Sequence, residues 1–463
     1  MTPTEIALSH YTLPFELKPF QVEVIDDLGP LTEEGYYLSM GTGKTCTSTV
    51  TALFHKVYYG NRCVVIMPPI LLKQWETWLK SIKPALKVVK YAGTPSERAA
   101  MSLDADFVLV GVQIFKKEYE KFTKVFADVA LTVIIDEANM VSNISTDNHE
   151  KLYDFCLGRH KLLLTGTPMN NPGDAYGLLK FVAPGIYRNK AQFLRIHAKS
   201  VDMFNNVTEW DNLDLLAKNM TVNAKRVLLE DIYDEMPEVT YTPLEYDLDP
   251  KHARLYRKLA EEELLRLPDG GKIDATTANK LTHALGQIIV NYGHFAGDSS
   301  LVSKSLDMAE ELLEELGDGK LLMFANYRMS IALLVEKLAK YGAVGVNSEV
   351  TSSQKEKNIE KFIHDPSCRV MVAQVRSAGF GLDGLQAVAN TIFYIEPCSS
   401  PRDFHQSVAR LVRQGQSRPV QVYMGVAAGT LQRRAFNNLM KNDSLVNSVI
   451  RNAADLRDLV LGD

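Results

Sequence analysis

Short apolar runs of strand length recur along this chain in two groups, and each run is followed by turn residues or a helical stretch. The first group stands at Gly35–Met40, Cys63–Pro68, Phe107–Val112, Val133–Ile135 and Lys161–Leu164. The second stands at Leu321–Phe324, Ala343–Val346, Val370–Ala373, Thr391–Ile395 and Val420–Gly425. Buried strands alternating with helices pair in parallel through crossovers, so the rhythm predicts α/β lobes whose loops gather at the C-terminal ends of the strands. Between Ala191 and Ser305 the rhythm stops, and charged helical patterns surround an extended piece at Pro237–Leu248. The chain therefore reads as an N-terminal lobe over 1–190, a helical connector over 191–305 and a C-terminal lobe over 306–463. A length of 463 residues suits two lobes, because single cores stop growing beyond about 250–300 residues.

Composition removes several classes. The chain is 46% hydrophobic and 23% charged, and none of its apolar runs reaches the ~20 residues that a bilayer demands, so no membrane is expected as a partner. The opening MTPTEIALSHYTLPFELKPFQ has no basic stretch ahead of an apolar one, and the expected setting is cytoplasmic. Cys46, Cys63, Cys156, Cys368 and Cys398 stand singly, without metal-binding spacing, and read as reduced and structural. A net charge of −5 argues against coating nucleic acid through the whole surface and confines any phosphate-binding surface to a local groove. Of the three tryptophans, Trp75 and Trp78 lie on a predicted helix and Trp210 in the connector; packing is favoured over base stacking for all of them.

The segment YYLSMGTGKTCTSTV reads as a strand, a glycine turn and a helix start. Glycines at Gly41 and Gly43 let backbone N–H groups close around phosphates, Lys44 can reach the outer phosphate oxygens, and Thr45 can hold Mg²⁺. Met40 and Thr42 complete the candidate loop. An acidic pair follows the β-branched run in LTVIIDEANM: Asp136 suits the metal, and Glu137 suits the polarisation of an attacking water.

With GTGKT, DEAN and LLLTGTPMNN in this order, the chain resembles superfamily 2 helicases and, within them, the Swi/Snf-like DNA translocases. LKPFQVEVI resembles the family's adenine-reading segment, which implies that Gln21 meets the adenine edge. VVIMPPILLKQWETWLK is similar to the motif that touches the nucleic-acid backbone through Pro68, Lys73, Gln74 and Trp75. Thr165-Gly166-Thr167-Pro168 with Asn170 and Asn171 matches the motif that couples hydrolysis to lobe movement. Gln406-Ser-Val-Ala-Arg410-Leu-Val-Arg413-Gln-Gly415-Gln416 fits the family's Q-x-x-x-R-x-x-R-x-G-Q. On one helix face, Arg410 and Arg413 would serve as arginine fingers.

The resemblance covers about Leu17 to Val449. It implies two RecA-like parallel-sheet lobes, a tandem P-loop NTPase, with ATP and Mg²⁺ in the cleft between them and double-stranded DNA as the track. Catalysis falls to Lys44, Asp136, Glu137, Arg410 and Arg413. The cofactor falls to Gln21, Met40–Thr45, Gly381, Asp383 and Gln406, and the metal to Thr45 and Asp136. Compact size suggests a bacterial or phage type. Two alternatives stay open: a strand-separating helicase on single-stranded DNA or RNA, and a nucleotide-gated binder without productive hydrolysis. Three positions depart from the family pattern: Leu38 opens the phosphate loop, Asn139 ends the DEAN box, and RSAGFGLDGLQAVAN carries one extra residue in the glycine-rich motif.

Overall fold

The computed structural model describes residues 1–441 apart from 204–205, 230, 233–236, 263, 267–271, 275–277, 376–383 and 399. The chain divides into two compact units, Met1–Asp234 and Glu235–Asn442.

Strands of the first unit are β1 (Glu33–Leu38), β2 (Arg62–Met67), β3 (Val88–Tyr91), β4 (Phe107–Gly111), β5 (Leu131–Asp136), β6 (His160–Leu164), β7 (Ala198–Val201), β8 (Val207–Trp210) and β9 (Ala224–Val227). Among the described residues, seven of them form one sheet in the order β3-β4-β2-β5-β6-β1-β9, while β7 and β8 form an antiparallel hairpin. Every pairing in the large sheet is parallel. Such a sheet buries both faces, which is why its central strands read as continuous apolar runs. On β5, Val133 and Ile135 enter one core and Ile134 the other; on β2, Val64 and Ile66 oppose Cys63, Val65 and Met67.

The second unit continues with β10 (Val239–Tyr246), an antiparallel pair β11 (Leu264–Arg266) and β12 (Lys272–Asp274), then β13 (Lys320–Ala325), β14 (Val344–Val346), β15 (Val370–Gln374), β16 (Ala389–Tyr394) and β17 (Val420–Ala427). Its main sheet, order β10-β17-β16-β13-β15-β14 among the described residues, is again wholly parallel. Two cores flank it, with Phe324 and Tyr394 on one side and Met323 and Phe393 on the other. The two parallel α/β lobes expected from the alternation are observed.

The boundaries differ from the expected ones. Residues 191–305 do not form a separate connector, because β9 pairs with β1 over Gly35–Leu38 and so extends the first unit. Farther on, β10 pairs along its whole length with β17 in the second. Helices Pro250–Glu262 and Ala278–Val290 pack Tyr256, Leu259, Ile288 and Ile289 into a core that includes Ala427 of β17. Both strands lie at sheet edges, where one side needs no partner and polar residues are tolerated. AKRV and VTYTPLEY therefore lack the apolar continuity of a central strand.

Candidate nucleotide site

Parallel pairing places β5, β6 and β1 side by side, so that three segments emerge at one edge of the sheet. These are Ser39–Gly43 after β1, Glu137 after β5, and Thr165–Pro168 after β6. Ligand sites of open α/β sheets gather at this edge.

Gly41 and Gly43 both hold φ of +83°, a region that side chains disfavour, and Gly43 is the cap from which the helix Lys44–Tyr59 starts. A Cβ on Gly41 would meet nothing within 4 Å, so the loop is open on that side. On Gly43 it would come within 2.5 Å of the Gln21 amide nitrogen. Gln21 is buried and held at both ends: its oxygen accepts the Lys18 N–H at 2.9 Å and its Nε2 donates to the Thr42 carbonyl at 3.0 Å. The resemblance implies that Gln21 meets adenine; in the structure its side chain bridges the start of its own helix and the phosphate loop. The Thr42 hydroxyl donates to the Ser39 carbonyl at 2.7 Å. Lys44 Nζ donates to the carbonyls of Leu38 and Ser39 at 2.9 and 3.2 Å. Met40 lies against Gly166, where a Cβ would come within 3.1 Å of its Cγ and 3.3 Å of Lys44 Nζ. The motifs after β1 and β6 are therefore in contact.

Asp136 is buried, and both its oxygens accept hydrogen bonds: Oδ1 from the Glu137 N–H at 2.9 Å and Oδ2 from the Trp75 indole at 2.8 Å. Burial pushes its carboxyl above the ordinary value, against the opposing pull of the indole, the Lys44 charge and the Glu137 N–H. Glu137 has φ 55° and ψ 56°, left-handed backbone that costs a non-glycine residue energy and collects at functional sites. Asn139, one of the departures from the family pattern, donates to Glu137 Oε2 at 3.1 Å and so orients that carboxylate. Thr45 and Asp136 offer hydroxyl and carboxylate oxygens, the hard donors that Mg²⁺ takes, and the open cradle beside Lys44 fits the phosphates of the nucleotide that would accompany it. The residues fit the implied group.

In the second unit the helix Pro401–Val408 carries Gln406, which is buried, and ends at Val408. Arg410 and Arg413 were expected on that helix face; instead they lie on the turns that follow. Bonding tightens there: the Arg410 N–H meets the Ser407 carbonyl at 3.2 Å and the Leu411 N–H meets that of Val408 at 3.0 Å. Arg410 is 5% exposed and Arg413 is half-buried. The segment is anchored by Gln416, which donates to the Ala389 carbonyl at 2.8 Å. Gly381 and Asp383 lie outside the described residues.

Two contributors were missed. Trp75, read as packing and by resemblance as part of a motif that touches the nucleic-acid backbone, is buried and has a polar partner in Asp136; its KQWETW context gave no hint of that bond. Arg226 lies on β9 and donates to the carbonyls of Tyr37 at 2.9 Å and Gly166 at 2.8 Å, tying the strand that feeds the phosphate loop to the TGTP segment. A lone arginine in a four-residue polar edge strand has no periodic signal.

A model of the SNF2-related domain matches residues 39–290, more than half of the chain, and one of the helicase conserved C-terminal domain matches 304–415. The chain belongs to the SNF2-related family. The Swi/Snf-like resemblance drawn from the motifs agrees. Among the relatives of this SNF2-related chain, a DNA repair and recombination protein RAD54-like of Drosophila persimilis is 24% identical over 89% of the chain and 60% of its own length. A Chromodomain-helicase-DNA-binding protein 1-like of Danio rerio is 23% identical over 94% of the chain and 44% of its own length. The chain thus spans only part of the relatives it matches. A Sulfolobus solfataricus SWI2/SNF2 ATPase core in complex with dsDNA aligns with 95% of the chain and 94% of its own, at 22% identity and a TM-score of 0.45. Matched relatives come from animals, fungi and bacteria alike, which gives no support to a specifically bacterial or phage type. Among the described residues no helix is long and apolar enough to cross a membrane, and all five cysteines are buried and outside any disulfide.

Proposed function

We propose that this chain is an ATP-driven motor that tracks along double-stranded DNA. The observation that carries the reading is the strand-end cluster of the first unit: a glycine cradle with Lys44 after β1, and Asp136 with Glu137 after β5, two strands away in the same sheet. Backbone N–H groups of Gly41–Thr45 bind phosphate oxygens, and Lys44 neutralises their charge. Thr45 and Asp136 would hold Mg²⁺, which would supply positive charge to offset that developing on the transferred phosphoryl group. Glu137 draws the proton from the attacking water. The family resemblance gives Arg410 and Arg413 the part of charge stabilisation during hydrolysis, and alternating nucleotide states change the grip on a phosphate backbone. Grip of this kind is salt-sensitive and mostly independent of sequence. The names of the two relatives, in DNA repair and recombination and in DNA binding, favour DNA as the polymer.

The test is ATP hydrolysis by the purified chain alone, then with single-stranded DNA, duplex DNA and RNA, with Glu137→Gln as the blank. Stimulation by duplex DNA that the variant loses supports the translocase. Stimulation confined to single strands or RNA moves the reading to a strand-separating helicase. Absence of hydrolysis in every condition leaves a nucleotide-gated binder.

A further inference from the structure

One helix of the first unit, Leu72–Ser81, bonds through one indole to the carboxylate assigned to the metal and through the other to a threonine whose hydroxyl holds the backbone carbonyl of Thr45. Trp75 is 1% exposed, and its Nε1–H donates to Asp136 Oδ2 at 2.8 Å. Three residues on, Trp78 Nε1–H donates to the Thr49 hydroxyl at 3.0 Å, and that hydroxyl donates to the Thr45 carbonyl at 2.6 Å. Residues three apart share a helix face, so one rigid element reaches Asp136 directly and Thr45 through one intermediate. On its remaining surface the helix exposes Lys73, Gln74, Thr77 and Lys80.

We propose that Trp75 is a positioning residue for the metal-holding carboxylate of Asp136, and that with Trp78 it makes the helix Leu72–Ser81 the element that sets the spacing of the two metal-holding residues. The proposal rests on the reading that Asp136 and Thr45 hold Mg²⁺. An indole is a donor only, so it fixes one lone pair of Oδ2 while the Glu137 N–H fixes one of Oδ1. Each oxygen keeps lone-pair capacity for a metal, and the carboxylate cannot turn without breaking both bonds. Partners that orient a metal ligand in this way typically contribute about 10–100-fold to metal affinity or activity. A displacement of the helix, imposed through its exposed side, changes where both ligands stand.

The experiment measures binding of a fluorescent ATP analogue to the full chain by anisotropy, in EDTA and across a Mg²⁺ series. For Trp75→Phe, which keeps an aromatic ring in place of the larger indole and loses the N–H, the Mg²⁺ concentration at half-maximal enhancement rises about 10-fold or more, while affinity in EDTA stays within about twofold. Trp78→Phe gives a smaller rise. A Mg²⁺ midpoint for Trp75→Phe within about twofold of the unmodified chain overturns the proposal. A second readout needs no variant at Trp75. With only three tryptophans in the chain, Trp78→Phe combined with Trp210→Phe leaves Trp75 as the sole indole emitter. Its emission shifts when Mg²⁺ is added to the nucleotide complex; an unchanged spectrum overturns the proposal. If Asp136→Asn binds the analogue with the same Mg²⁺ dependence as the unmodified chain, the metal reading itself fails and takes the proposal with it.

Discussion

Candidate residues in the first unit stand at the ends of buried parallel strands and are fixed by hydrogen bonds inside that unit, whereas the two arginines of the second stand on turns beyond a helix that ends at Val408. A strand in the middle of a sheet cannot shift without disturbing both neighbours, so the phosphate cradle and acidic pair are preorganised. Arg410 is nonetheless as buried as Asp136, each 5% exposed, so the two regions differ in the kind of element that carries their residues rather than in burial. The strand ends of the first unit form a platform held from both sides, while the arginines of the second stand on turns beyond a helix end.

The sharpest way to break this comparison is to remove the side carried on turns. Arg410→Ala is expected to lower kcat by about 10³-fold or more while the affinity for nucleotide stays near that of the unmodified chain. Arg410→Lys should not rescue it, because a lysine lacks the planar fork. Steady-state hydrolysis alongside binding of an ATP analogue separates the two quantities. Loss of binding equal to the loss of rate would make Arg410 part of the platform. Since Arg410 is buried, a thermal melt of each variant accompanies the assay.

On the platform, Glu137→Gln keeps size and hydrogen-bonding capacity but removes the base. Turnover should fall by about 10²–10⁴-fold with ATP binding retained. Lys44→Ala is the contrasting change, expected to weaken nucleotide binding itself. If Glu137→Gln hydrolyses ATP at the normal rate, the strained backbone at Glu137 has another purpose.

A third prediction compares carboxylates that stand where strands end. Asp136 closes β5 and is aimed at the site by an indole and an N–H. Glu396, just beyond β16, is turned inward: one oxygen accepts the N–H groups of Asn326 and Tyr327 at 2.5 and 3.3 Å, and the other the Ser330 hydroxyl at 2.6 Å. Burial pushes its carboxyl up from 4.5 to about 7, despite these three donors. A folded-state value above the unfolded one means that the folded chain binds more protons between them. Stability from this group is thus full below about pH 4.5 and is lost as pH rises toward 7, by about 3 kcal/mol in all. Glu396→Gln should flatten the corresponding slope in urea unfolding of the second unit between about pH 5 and 7. A slope unchanged by the substitution would mean that Glu396 is charged throughout.

Much of this was legible in the chain itself. Central strands such as VVIM and TVII could be read because burial on two faces leaves them uniformly apolar, and GTGKT because its glycines have a backbone reason to be there. Less legible were β9 and β10, whose edge positions permit polar residues, and the true end of the helix before Arg410, which depends on tightened backbone bonding after Val408. The bond from Trp75 to Asp136 joins residues 61 apart in sequence, and no local pattern encodes it.

Gln21 supplies the smallest effect and the finest distinction. If it serves mainly as a reader of adenine, Gln21→Ala should weaken ATP and leave other nucleoside triphosphates untouched. Its two hydrogen bonds imply something different. One holds the Lys18 N–H and the other the Thr42 carbonyl, so the side chain ties the start of its own helix to the phosphate loop. Removing it takes a partner from the buried Thr42 carbonyl and the part-buried Lys18 N–H and relaxes a loop whose glycines already occupy left-handed backbone. A loss of about 1–2 kcal/mol is expected, a roughly 10-fold rise in KM with little change in kcat, and it should apply to ATP and GTP alike. Gly43→Ala provides the partner test. Its Cβ would fall within 2.5 Å of the Gln21 nitrogen and displace the same brace, on top of the strain at φ +83°. Combined with Gln21→Ala it should cost less than the sum of the two single changes, because both disturb one contact. Full additivity would show that the brace in the structure contributes nothing to nucleotide binding, and would return Gln21 to the base.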